Sequence, residues 1–459
     1  MLQSKTNCCW SPYPLRARYR IASTVSSCAT GQIQCSDPRV DTTGSTGMIG
    51  EVKGFAGFLH VLLFAAKIRL GFVDPGKGIG TANTSLVFHA QRLLALQESD
   101  MPYAVRVMCS GLLRTLSRQT FDEKLQHPFT AHPNVDLATG NVTKDFPIHT
   151  IKEPIMMHDF AVARSHVIFF ECPMIFDTVN MVEKNEGPFR WDAKRPTRFW
   201  VLQRNATSSQ DICCFMYPQA MFVMHTAAAF EEADVIYLYA SAQPRFQLVS
   251  PQKGRLGGPL SHSLWHPHLY EFTFNLTSGE MTRTALAPGL SSDMPAIDRS
   301  LSGQLRRRQL VLQVPGMLAR RLLLEAGIGS RVRYIYTATM STGPLVCFDR
   351  LVKYDLEAPA GQKVVGLIDH GGPRYVGGEA FFVPRADDGP FRKCGEDDGY
   401  LLTYVHDTKL DVSWFVVYNA CTFDCEPVAR VRLPQRVPYG FHCLHVPEKD
   451  LKTQDFSLA

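Results

Sequence analysis

At 459 residues the chain is long enough for one large domain or two ordinary ones. Apolar residues make up 45% and charged residues 20%, the balance of a soluble globular protein. A net charge of +5 is too small at this length to indicate a nucleic-acid partner, and neither a zinc-finger nor a basic-helix pattern occurs. The 13 cysteines are odd in number, and Cys8 with Cys9 and Cys213 with Cys214 are adjacent, which is not the spacing of a secreted disulfide scaffold and fits a reducing compartment. Cys421 and Cys425 could form half of a zinc site, but no second cysteine pair accompanies them.

Residues 1–50 carry Asp37 and Asp41 as their only acids against Lys5, Arg16, Arg18, Arg20 and Arg39, with abundant Ser and Thr. That composition reads as an organellar transit peptide, with a poorly ordered leader as the alternative. The most apolar stretch, residues 54–72, is interrupted by His60, Lys67 and Arg69, so it cannot span a bilayer. Lys53, His60 and Lys67 nonetheless recur at helical spacing beside Phe55, Phe58, Leu59, Leu62, Leu63 and Ala66. This predicts either a helix lying in a membrane interface or a core-packed helix with one wet face, and composition favours the latter.

Beyond residue 80 the pattern turns to short strands with turn punctuation. Residues 84–89 and 93–96 read as a hairpin; 269–276 alternates strictly, turns through Thr277-Ser-Gly-Glu280 and returns along 281–286. Residues 332–339, 381–383, 400–405, 414–417 and 428–433 are further strands between Gly, Pro and Asp clusters. Many short strands indicate an all-β fold, and the length favours a propeller over a sandwich. Residues 304–329, with Arg306-Arg-Arg308 and Arg320-Arg321, break the pattern and read as an atypical surface insertion.

Of the 15 histidines, most need no function. Those in Thr130-Ala-His132-Pro133, Met156-Met-His158-Asp-Phe160, Phe222-Val-Met-His225 and Tyr439-Gly-Phe-His442 each end an apolar or aromatic run, where a strand would deliver a side chain to a buried point. Spacing alone does not separate a shared metal site from hydrogen-bonded core histidines.

The segments Leu93-Leu-Ala-Leu-Gln-Glu-Ser-Asp-Met-Pro-Tyr103, Thr130-Ala-His-Pro-Asn-Val-Asp136, Glu153-Pro-Ile-Met-Met-His-Asp-Phe-Ala161, Gly377-Gly-Glu-Ala-Phe-Phe-Val-Pro384, Glu396-Asp-Asp-Gly-Tyr-Leu-Leu402 and Arg436-Val-Pro-Tyr-Gly-Phe-His442 resemble the signature segments of plant-type carotenoid cleavage dioxygenases, in the family's order. The resemblance covers roughly residues 55–450 outside the insertion. It implies a seven-bladed β-propeller with a few helices on one face, spanning 51–459 after a leader of 1–50. It implies one Fe(2+) per chain held by His132, His158, His225 and His442, with Glu98, Asp293 and Glu379 accepting the other ring N–H groups. The implied partners are a carotenoid or apocarotenoid substrate, dioxygen and a peripheral membrane surface, with no nucleic acid. The implied location is the plastid, with the cytoplasm as alternative. The isomerase branch of the same superfamily and a non-catalytic carotenoid-binding propeller are the rival functions. Three departures stand out: the family's N-terminal segments with Asn-Gly-Pro and aromatic–Asp-Gly-Asp-Gly are missing, His158 follows His132 at about half the usual separation, and Ala228 replaces a common asparagine. The first two predict a ring open or thin at its N-terminal blade and near residues 132–158.

Overall fold

The computed structural model describes residues 54–72, 82, 84–97, 100–108, 113–121, 125, 129–133, 150–208, 211–246, 266–299, 329–340, 347–385, 395–437 and 442–454. The leader, residues 134–149, Glu98 and residues 304–328 of the insertion lie outside the described residues.

Helix α1 (Gly54–Arg69) comes first. A four-stranded antiparallel sheet follows in chain order: β1 (Ser85–His89), β2 (Arg92–Leu96), β3 (Tyr103–Val107) and β4 (Leu113–Arg118). The second sheet contains β5 (Phe160–Val162) and β6 (His166–Glu171). The chain then makes a small hairpin, β7 (Met174–Phe176) and β8 (Phe189–Trp191), whose strands flank α2 (Thr178–Lys184). It returns as β9 (Thr197–Gln203) and β10 (Cys213–Tyr217), completing the order β10-β9-β6-β5. The third sheet is a meander of β11 (Phe222–Glu232), β12 (Val235–Gln243), β13 (His268–Asn275) and β14 (Met281–Ala285). The fourth is β15 (Asp293–Ala296), β16 (Tyr334–Met340), β17 (Phe348–Asp355) and β18 (Val364–Asp369). In the fifth, β19 (Tyr375–Val376) and β20 (Phe381–Pro384) both pair with β21 (Gly399–Asp407), followed by β22 (Val412–Asn419), β23 (Ala429–Arg432) and a final turn of helix, α3 (Glu448–Lys452).

The strands form where the sequence alternates. Along β13, Leu269, Phe272 and Phe274 are fully buried while Glu271, Thr273 and Asn275 are half-buried. The turn after it is fixed chemically: Asn275 Oδ1 accepts from Thr277 N and Ser278 N, and Gly279 takes the left-handed backbone at φ 74°.

Sheets two to five pack face to face in succession, and each of these interfaces is its own core. Ile168, Phe170 and Phe199 of sheet two meet Phe222, Ile236, Phe272 and Phe274 of sheet three. Tyr239 and Leu269 of sheet three meet Ile335, Val352 and Tyr354 of sheet four, and Ala228 packs here, between sheets. Tyr336, Leu351 and Ile368 of sheet four meet Leu401 and Val416 of sheet five. The C-terminal segment then comes back to sheet one, where Val446 packs on Leu93 and Val105 and Gln454 Oε1 accepts from Val107 N at 3.0 Å.

Helix α1 departs from the core-packed reading that composition favours. Gly54 and Gly57 are its buried residues, while Phe55 is 65% exposed and Leu62 and Leu63 are about half exposed. Gly54 is required at φ 65°: a Cβ there would meet Asn185 Oδ1 at 1.9 Å, and its N–H donates to Glu186 O. The helix is thus seated through Gly54 on the end of α2, and Phe55, Leu59, Leu62 and Leu63 face outward.

Sheets four and five share a buried ion pair. Lys353 Nζ donates to Asp397 Oδ2 at 2.6 Å and to the Ala420 and Cys421 carbonyls, and stands 4.6 Å from the Tyr334 ring centroid. Removing the ammonium strands a buried carboxylate. Lys353→Met is therefore expected to cost about 3–5 kcal/mol of stability. Lys353→Met with Asp397→Leu should recover most of that loss in denaturant melts.

Candidate metal centre

The first strands of three sheets stand side by side, with β11 between β5 and β15. The histidine cluster lies at this junction. His225 is on β11, His158 immediately precedes β5, and His132 and His442 lie on non-repetitive segments after β4 and β23. The expectation that strands deliver all four is thus met by His225 alone; the others are presented by short coils, each anchored to a neighbouring sheet. Ala131 is buried and its carbonyl accepts from Ser85 Oγ of β1, while His132 N donates to Thr130 Oγ1. Met156 N donates to Met174 O, and Ile155 bridges to Ile175, which fixes the approach to His158.

The four side chains converge. His158 Nε2 and His225 Nε2 are 3.3 Å apart, and ring nitrogens of His132, His158 and His225 lie within 4.8 Å of one another. The His132 ring centroid is 4.6 Å from that of His158, 5.1 Å from His225 and 4.7 Å from His442; His225 and His442 are 4.9 Å apart.

Two of the expected carboxylates are in place. Asp293 Oδ1 is 2.8 Å from His225 Nδ1, with both residues buried. Its aim comes from the backbone: Met294 takes a left-handed φ of 51°, and Ser292 Oγ is hydrogen-bonded to Tyr354 OH. Glu379 Oε1 is 3.3 Å from His442 Nδ1, its Oε2 accepts from Cys443 N at 2.6 Å, and its carbonyl accepts from Thr403 Oγ1. Gly377 leads into Glu379 beneath the buried His370, whose Nε2 would be 2.4 Å from any Cβ there. Glu98 lies outside the described residues. The Cys443 N–H, a donor to Glu379, was not foreseen: a backbone group leaves no signal in the sequence.

The electrostatics follow from these contacts. Burial pushes the His132 ring's proton affinity well below its ordinary value, and the rings of His158, His442 and His225 push it the same way. Burial opposes charge on Asp293 and Glu379, yet the adjacent His225 and His442 rings, with backbone N–H donors, hold both carboxyls below their usual range. His442 moves up: burial lowers it, but the charges of Glu379, Asp293 and Asp159 outweigh that.

Such a cluster suits a cation. With Nδ1 of His225 and His442 turned to carboxylates, Nε2 is the atom through which each would reach a metal. His132 Nε2 is buried without a hydrogen-bond partner, a cost that a ligated ion would relieve. A set of neutral imidazoles fits iron, zinc, copper or nickel rather than magnesium or calcium.

The family model described as "Retinal pigment epithelial membrane protein" matches residues 65–315 and 322–447. The chain belongs to that family, the carotenoid oxygenases. It is 36% identical over 440 residues to a carotenoid 9,10(9′,10′)-cleavage dioxygenase of Pisum sativum, covering 88% of this chain and 74% of that one. It is 33% identical over 427 residues to a chloroplastic 9-cis-epoxycarotenoid dioxygenase of Oryza sativa subsp. japonica, covering 87% and 60%. Among solved structures it resembles a variant of the Synechocystis apocarotenoid oxygenase (TM-score 0.63, 20% identity, 80% of this chain and 75% of that one) and the Pseudomonas brassicacearum lignostilbene dioxygenase (TM-score 0.61, 24% identity, 81% and 76%).

Asp293→Asn and Glu379→Gln should each weaken retention of a divalent metal about 10- to 100-fold, because an amide is a poorer acceptor for the imidazole N–H. Equilibrium dialysis against cobalt(II) measures this directly. Wild-type retention in both variants would mean that these carboxylates do not orient the histidines.

Proposed function

We propose that this chain is an iron(II)-dependent dioxygenase that cleaves one double bond of a carotenoid or apocarotenoid. The observation that carries the reading is the meeting of His132, His158, His225 and His442 from separate segments, with Asp293 and Glu379 behind two of them. The likeness to carotenoid cleavage dioxygenases supports the substrate class. When bound, iron(II) would supply a redox-capable Lewis-acidic centre at which dioxygen meets the polyene. His132, His158, His225 and His442 would hold it through Nε2. Asp293 and Glu379 keep His225 and His442 in the Nδ1–H tautomer and place negative charge behind them. Both atoms of dioxygen enter the products: the carbon–carbon double bond is broken and two carbonyl groups form, so no external reductant is needed.

The face-to-face sheets, with the C-terminal segment returned to sheet one, support a propeller ring centred on the histidines. The form we propose is a seven-bladed ring open or thin near 132–158 and at its N-terminal blade, and 134–149 lies outside the described residues. The exposed apolar face of α1, continued by Leu70, Phe72 and, on α2, Val179 and Val182, supports peripheral contact with a membrane where such substrates dissolve. No helix among the described residues is long and apolar enough to cross a bilayer. The chloroplastic relatives support a plastid location.

Incubation with β-carotene or an apocarotenoid, iron(II) and ¹⁸O₂ should give two carbonyl products, each carrying one ¹⁸O. A chelator should abolish this and iron(II) restore it. An isomer without cleavage would assign the protein to the isomerase branch, and an unchanged polyene bound to the protein would make it a binding protein.

Replacing Phe55 and Leu62 by Ser should lower partitioning onto liposomes while leaving turnover of detergent-dispersed substrate unchanged. A loss of folded protein would instead indicate that this face packs against the rest of the chain.

A further inference from the structure

Among the described residues sheets two and three share no backbone ladder: β5 pairs with β6, and β11 pairs with β12. Yet His158 Nε2 and His225 Nε2, on segments of these two sheets, are held 3.3 Å apart. The residue after each histidine supplies the tie. Asp159 Oδ2 accepts from Thr226 N at 2.7 Å and from Thr226 Oγ1 at 2.9 Å, while its Oδ1 accepts from Phe160 N at 2.7 Å. Asp159 is 5% exposed. Strand β11 is shaped for this contact. Its register shifts between Val223 and His225 and again between Thr226 and Ala228, so the His225-Thr226 pair sits between two irregularities that re-aim side chain and backbone.

We propose that Asp159 and Thr226 form a clamp between sheets that sets the separation and orientation of His158 and His225, making Asp159 a positioning residue for the metal centre. The proposal rests on the metal-site reading above. Neither residue touches the shared centre; both act through the histidine before them. A carboxylate is required because three donors point at it. An amide in its place turns its NH₂ either toward Thr226 or toward the Phe160 N–H, leaving donor against donor both ways.

The test uses the full chain with cobalt(II), whose visible absorption reports ligand geometry, alongside thermal melts. Asp159→Asn is expected to weaken cobalt binding about 10- to 100-fold, as for other groups that orient ligands, and to shift the cobalt bands. Thr226→Val, which deletes one of the two Thr226 donors, should give a smaller change in the same direction, and Thr226→Ser should restore wild-type binding and spectrum. A merely structural role would lower the melting temperature and leave the cobalt spectrum unmoved. Wild-type affinity and spectrum in Asp159→Asn overturn the clamp. Should Asp159→Asn not fold, Thr226→Val decides: identity with Thr226→Ser overturns the proposal. Failure of the wild-type chain to bind cobalt at all overturns the metal reading, and the clamp with it.

Discussion

Imidazole rings buried with centroids about 5 Å apart impose one electrostatic condition on everything around them. Two imidazolium ions at that separation, in an effective dielectric near 20, repel by about 3 kcal/mol. The cluster must therefore stay largely neutral, and at His132 burial depresses the proton affinity first, with the neighbouring rings adding to it. Neutral rings can still carry tightly bound protons on Nδ1, and the fold uses that freedom. Buried carboxylates at Asp293 and Glu379 take the Nδ1 side, so the lone pairs at Nε2 face inward and the field at the centre is negative. Carboxylates behind the rings and a buried orphan at His132 Nε2 make a site that suits a cation.

Bringing four distant segments to one point costs conformational entropy, and the sheets meet that cost before the site forms. Sheets two to five meet across apolar cores, and these hold the elements beside the site in place. The coils bearing His132 and His158 are stitched to neighbouring strands by backbone groups. Glu379 binds the Cys443 N–H as well as the His442 ring, so one carboxylate fixes both the histidine and its backbone. Beside Asp293, Met294 adopts a left-handed backbone, a conformation that a residue with a Cβ takes only when its surroundings demand it.

The strands were legible because one-sided burial writes itself as alternation. The pairs β1–β2 and β13–β14, and the strands of sheet five, lie where alternation and turn residues put them. The histidines were legible only through resemblance, since three of the four lie on coils, which carry no period. Asp293 and Glu379 likewise came from the resemblance, and the geometry gives Asp293 the shorter hydrogen bond. Asp159 was in plain view within a quoted motif, but its partner is 67 positions away and no local rule connects them. Helix α1 shows the opposite failure. Its composition resembles a core helix, yet packing is decided by a small residue: Gly54 lets the backbone approach α2, and Phe55, Leu59, Leu62 and Leu63 are turned out.

That outward face is mechanically joined to the site. Helix α1 rests on the end of α2, and α2 is held between β7 and β8 by its own N-cap, Asp177, whose carboxylate also accepts from Arg190 Nε. Strand β7 in turn bonds residues 155 and 156, just before His158. The route from apolar surface to ligand segment is thus a short run of hydrogen-bonded backbone. On the proposed function this continuity matters, because a polyene leaving a membrane must meet the centre at a fixed depth for one bond to be selected. On that reading, a helix pair anchored to the same hairpin as His158 would set that depth through hydrogen-bonded backbone, and positioning of this kind selects where a substrate is cut.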